Sequence, residues 1–250
     1  MSALQQALAA SFFALAMTSA GAALVFANKR SFFMNGAAPA FSYGIMVSSA
    51  FFSLLVPAME AFPGCGSERI LLPLAVLAGA LLIKAFEKIK LQRILKIGKE
   101  GSLPFVLAIF LHNIPEGIAI GTAFAYAGMA ESAAALKSAA VLSLGIAIQD
   151  VPEGAAVSLP LNESGKSKNE AFFWGAASAL GEPLGAVLGV FLTESFKTAM
   201  PLFSAFAAGC MLYAVAGEMF AERLSRESKH SNLGFMVGFC VMMALDLAVS

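Results

Sequence analysis

Two short phrases put metal-binding chemistry into apolar surroundings: His112-Asn113-Ile114-Pro115-Glu116-Gly117 and Gln149-Asp150-Val151-Pro152-Glu153-Gly154. Imidazole and carboxylate suit zinc and its first-row neighbours, while carboxylate and amide oxygens also accept harder cations. On a helix, residues four apart share a face, which pairs His112 with Glu116 and Gln149 with Glu153. Asn113 and Glu116 are three apart, as are Asp150 and Glu153, so each glutamate can serve two neighbouring clusters. That spacing suits a bridged, two-metal site.

Each phrase also holds a proline and a glycine. Pro115 and Pro152 lack an amide hydrogen and free the carbonyls of Leu111 and Ile148 one turn earlier, and Gly117 and Gly154 let helix backbones approach closely. An ordinary membrane kink accounts for one proline and one glycine, but not for His and Glu at i and i+4 with Gln and Glu repeating the spacing. Two further acids stand in later apolar stretches, Glu182 in Gly181-Glu182-Pro183 and Glu218 in Gly217-Glu218-Met219. An acid in a membrane core costs about 2.5–3.5 kcal/mol on insertion scales and by default marks an ion path. A cation is the missing partner. The other reading of Glu182 is a protonated acid bonded across helices, and Glu218, close to Glu222, admits a purely structural role too. Met46, Ser48, Ser49 and Ser53 fall in one apolar run where packing is the better reading. Asp246 is expected at the interface and His230 in a solvated loop.

The elements that must position these residues follow from composition. The 250 residues are 59% hydrophobic and 13% charged, with a mean hydropathy of +0.80, which no ordinary soluble domain shows. With roughly 20 residues per span, the apolar stretches predict eight transmembrane helices, near 4–27, 39–59, 69–88, 103–127, 135–160, 171–193, 200–221 and 232–249. The stretches are long, continuous and rich in Ala, Leu, Gly and Phe, unlike the alternating ten-residue strands of a β-barrel. The expected fold is an all-α integral membrane protein forming a single domain over 1–250, with a basic cytoplasmic loop at about 88–102. Three spans, the motif-bearing pair and three more make a 3+2+3 arrangement, which fits the inverted repeats built around midplane sites in secondary transporters. With both termini outside, every Lys and Arg except Arg69, Lys137 and Lys197 falls on the cytoplasmic side, as the positive-inside rule requires.

Other classes lack support. Zero net charge gives no sign of a nucleic acid partner. Gly165-Lys166-Ser167 resembles the end of a phosphate loop, but the pattern needs glycine where Pro160 stands, so no nucleotide is expected. The first apolar run lacks a basic n-region and carries its charge afterwards, at Lys29 and Arg30, so it reads as an uncleaved span. Cys65, Cys210 and Cys240 form neither a CxxC motif nor a disulfide framework. An intramembrane metal hydrolase would want a catalytic acid within a phrase such as HExxH, which is missing, so no enzyme is expected. A passive channel or an exporter remains open, because direction is set by gradients and gating that motifs do not record.

The duplicated phrase resembles the paired signature of the ZIP (Zrt-, Irt-like) metal transporters. The likeness extends to Ser53-Leu54-Leu55-Val56-Pro57, Gly181-Glu182-Pro183-Leu184-Gly185 and Ala208-Gly209 through Glu218, and it is closest to the bacterial GufA-like branch, with short loops and the Gln-Asp second phrase. The resemblance implies eight spans, outside termini and a binuclear site between the fourth and fifth helices. It implies one metal on His112, Glu116, Gln149 and Glu153, with Met46 as a soft contact. It implies a second on Asn113, Asp150 and Glu182, with Glu116 and Glu153 bridging. It further implies import of zinc or related divalent ions such as cadmium or iron across the cytoplasmic membrane, commonly by a homodimer among membrane lipids. The metal is then transported substrate rather than cofactor.

Overall fold

Within a membrane no water can satisfy the backbone, and a helix answers by closing its hydrogen bonds along one segment. The computed structural model describes residues 1–27, 37–62, 69–96, 102–225 and 231–248, and among these every regular element is helical. Helix α1 (Ala3–Ala22) tightens into a 3-10 turn at Ala23–Phe26. Helix α2 (Ala37–Ser48) passes through a π-helical stretch, Ser49–Leu55, into α3 (Val56–Ala61). There follow α4 (Leu71–Lys96), α5 (Ser102–Ala130), α6 (Ala133–Glu163), α7 (Lys168–Ser178), α8 (Gly181–Ser195), α9 (Met200–Ser225) and α10 (Ser231–Leu247).

Among the described residues, five helical stretches are long and apolar enough to cross a membrane: Ala3–Phe26, Pro39–Ala61, Ala133–Glu163, Lys168–Ser195 and Lys197–Gly217. Leu71–Ala85 and Asn232–Leu247 are shorter apolar helices. The chain is a multi-pass membrane protein whose described elements are all helical.

One local feature differs from the sequence expectation. The apolar run expected as one helix over 171–193 is broken between α7 and α8 at Ala179 and Leu180, and Gly181 opens α8. Pro183 lies in the first turn of α8, where its missing amide costs nothing, and the Glu182 amide donates back to the Ala179 carbonyl at 3.0 Å. The prolines at 115 and 152 leave their helices continuous, as the single spans expected over 103–127 and 135–160 require: α5 and α6 run through them, and α6 through Pro160 as well. Packing against neighbouring helices sustains the segment despite the lost bond.

Capping sets the ends. Only Glu131 and Ser132 separate α5 from α6; Glu131 has φ 47°, and Ser132 Oγ accepts from the Ala135 amide at 3.3 Å. The tight reversal makes the two motif helices antiparallel. Gly165-Lys166-Ser167 leads into α7 and caps it: Ser167 Oγ accepts from the Glu170 amide at 3.2 Å, and Lys166 pairs with Glu170 at 2.6 Å.

Helices then pair through glycine. A Cβ placed on Gly21 of α1 would stand 2.0 Å from the Val151 carbonyl oxygen of α6, and one on Gly154 of α6 would stand 2.0 Å from the Thr18 carbonyl of α1. The same reciprocal contact joins α5 to α8, with Gly117 against the Glu182 carbonyl (2.0 Å) and Gly185 against the Ile114 carbonyl (2.2 Å). It joins α2 to α10 through Gly44 against Phe235 and Gly238 against Phe41, and α4 to α9 through Gly79 against Phe206 and Gly209 against Val76. In every pair each glycine covers the carbonyl three residues before the partner's glycine. Small residues at crossings are how membrane helices gain dispersion contact without a hydrophobic driving force. These four pairs are also the most extensive helix contacts. The main apolar core, with Met46, Leu54, Ile120, Leu142, Ile146, Met211 and Val215, lies where they meet.

Candidate metal site

The α5–α6 reversal brings the two phrases together inside the bundle. Glu116, Asp150 and Glu153 can each offer a carboxylate oxygen, all within 4.8 Å of one another. Glu116 and Asp150 are fully buried and Glu153 is half-buried. Across the helix pair, Gln149 Nε2 donates to Glu116 Oε1 at 2.5 Å.

Neighbouring helices hold the rest. From α5, Asn113 Nδ2 donates to the Ser178 carbonyl at 3.0 Å, at the break between α7 and α8. From the first turn of α8, Glu182 presents a buried carboxylate whose Oε1 accepts from Thr18 Oγ1 of α1 at 3.4 Å. It lies within electrostatic reach of Asp150. From α2, Ser42 Oγ donates to the Gln149 carbonyl at 3.0 Å.

Several oxygens of this neighbourhood accept nothing. Asp150 Oδ1 and Oδ2, Gln149 Oε1, Asn113 Oδ1 and Glu182 Oε2 are buried with no hydrogen-bond partner among the described residues. Each such atom costs about 1–3 kcal/mol when left unsatisfied, more when charged. Five acceptors in one neighbourhood, with carboxylates among them, make an arrangement suited to a cation.

The structure brings together Asn113, Glu116, Gln149, Asp150, Glu153 and Glu182. Met46 is buried and packs in the apolar core. His112 lies on α5 and Glu218 on α9, but their side chains fall outside the described residues, as does the whole of His230. Asp246 is half-buried and accepts from Ser53 Oγ at 2.9 and 3.1 Å, so it joins α10 to the π-helical stretch. Sequence reasoning passed over Thr18, Ser42 and Ser178, because a lone hydroxyl or a backbone carbonyl in an apolar span carries no motif.

Residues 90–246 match the ZIP zinc transporter family. The chain belongs to that family. Its ZIP relatives include zinc transporter GufA of Myxococcus xanthus, 32% identical over 211 residues that cover 79% of this chain and 80% of that protein. Zinc transporter ZIPB of Bordetella bronchiseptica is 34% identical over 223 residues, 84% of this chain and 70% of that protein. Zinc transporter ZupT of Corynebacterium efficiens is 29% identical over 230 residues, 83% and 82% respectively. This ZIP chain is GufA-like, a transporter and not an enzyme, for which metal is cargo and not cofactor.

Proposed function

We propose that this protein carries divalent metal, zinc foremost, across the cytoplasmic membrane toward the cytosol through a binuclear site between α5 and α6. The observation that carries the reading is the group of three carboxylates on antiparallel buried helices, in which neither oxygen of Asp150 has a hydrogen-bond partner among the described residues. One metal takes His112, Glu116, Gln149 and Glu153, with Met46 as a soft contact. The other takes Asn113, Asp150 and Glu182, with Glu116 and Glu153 bridging. Glu218 joins the path further along α9. Cadmium and iron are the further cargo to test.

The chain crosses the membrane eight times in a 3+2+3 inverted repeat, with both termini outside the cytosol, and works as a homodimer. The reciprocal glycine contacts support the repeat: exchanging α1 with α8, α5 with α6, α2 with α9 and α4 with α10 maps each glycine pair onto another. Under that exchange Glu116 answers to Glu153 and Asn113 to Asp150. A metal in a dry site needs deprotonated ligands, and alternating exposure of the site to the two sides moves the metal without opening a continuous pore.

Uptake of radioactive zinc into proteoliposomes tests the reading. Glu116→Ala and Glu153→Ala should each abolish uptake while the protein stays folded; parent-like transport by both would remove the site assignment. Flux that follows an imposed zinc gradient with single-channel conductance would favour a passive channel, and net efflux an exporter.

A further inference from the structure

Thr18 stands in α1 at the place that Glu182 occupies in α8: the Gly154 backbone covers the Thr18 carbonyl as the Gly117 backbone covers the Glu182 carbonyl, each at a Cβ distance of 2.0 Å. The two halves therefore differ at this pair, one bringing an acid and the other a hydroxyl. The hydroxyl finds the acid. Thr18 and Glu182 are 164 residues apart, both buried, and Thr18 Oγ1 reaches Glu182 Oε1 at 3.4 Å and the Ala14 carbonyl of its own helix at 3.2 Å. A threonine hydroxyl has one proton, so it is shared between these acceptors. Glu182 is left with one oxygen tied to α1 and the other, Oε2, buried without a partner among the described residues.

A carboxylate that accepts a hydrogen bond on one oxygen and offers the other is the usual state of a metal ligand whose orientation is fixed from behind. We propose that Thr18 is a positioning residue for metal binding, its hydroxyl fixing the Glu182 carboxylate so that Oε2 is presented to the metal on Asn113 and Asp150. This rests on the binuclear reading above. The hydroxyl makes the acid of one half of the molecule answer to the other half, so binding at the second metal position depends on how α1 packs beside α8.

The decisive comparison is among the parent, Thr18→Val, Thr18→Ser and Thr18→Ala as purified full-length proteins titrated with zinc. Stoichiometry is read by elemental analysis, and melting temperature is measured with and without metal. Thr18→Val keeps the shape and removes the donor. It should weaken the second zinc by about 10- to 100-fold, the usual cost of losing such a partner. Its first zinc and its metal-free melting temperature should stay near the parent's. Thr18→Ser should restore the second zinc, and Thr18→Ala should repeat the loss; Thr18→Ala decides the matter if the valine protein does not fold. Parent-like affinity at both positions in Thr18→Val or Thr18→Ala overturns the proposal, as does a loss that Thr18→Ser fails to repair. A parent that binds a single zinc, or that keeps its second zinc in Glu182→Ala, strikes the binuclear reading instead.

Discussion

Gln149 Nε2 on α6 donates to Glu116 Oε1 on α5, so the second phrase holds the first phrase's glutamate in place directly. The amide supplies the donor that a carboxylate at position 149 could not, and its own Oε1 stays buried with no partner among the described residues. Gln149 is thus able to orient one ligand while offering an oxygen of its own.

Gln149→Leu removes both roles and should lower zinc affinity by about 10- to 100-fold, measured by equilibrium titration of the purified protein. Gln149→Asn, too short to span the same gap, should restore little of it.

Acidification should weaken zinc binding. The proposed ligands Glu116, Asp150, Glu153 and Glu182 bind metal only when deprotonated, so protons compete with zinc and affinity falls as pH falls. Zinc titrations at a series of pH values, with proton release followed in weakly buffered solution, give the sign directly; affinity that rises on acidification would contradict a carboxylate site.

Gly117→Ala and Gly154→Ala should each destabilise the fold. The added Cβ would meet a backbone carbonyl oxygen at 2.0 Å, and backbone cannot step aside as a flexible side chain can. Overpacking of this kind costs about 1–3 kcal/mol or more. Gly128→Ala is the control, since its nearest neighbour is the Ala3 side chain at 3.4 Å. Thermal melting in detergent should separate the first two variants from the third.

Lys166→Ala and Ser167→Ala should leave zinc uptake unchanged. Ser167→Ala removes the cap of α7 and should cost about 1 kcal/mol of stability, seen as a lower melting temperature, whereas Lys166→Ala removes only a partly exposed i,i+4 ion pair. Loss of transport in either would revive a phosphate-binding role for this turn.

The ligand phrases were legible in the sequence because helix periodicity is a local rule: residues four apart share a face wherever the helix lies. The close approach at Gly117 and Gly154 was legible for the same reason. What those glycines meet was not, since Gly117 packs on Glu182 and Gly154 on Thr18, partners chosen by tertiary packing. The break at Ala179 and Leu180 escaped notice because the apolar run continues across it, and the π-helical stretch at Ser49–Leu55 looks like ordinary helix in composition. Ser53 and Asp246 meet across 193 residues, which no pattern along the chain records.

The four glycine-locked pairs have a mechanical consequence. Where backbone sits on backbone, two helices cannot slide without separating, so α1 with α6 and α5 with α8 behave as rigid girders, as do α2 with α10 and α4 with α9. Between α6 and α10 the joint is softer: Gly145 faces the Met242 thioether of α10 and the Ser49 hydroxyl, flexible ends that yield. That yielding joint lies on the seam between the first two girders and the last two, and the first two are the ones that bear Glu116, Asp150, Glu153 and Glu182.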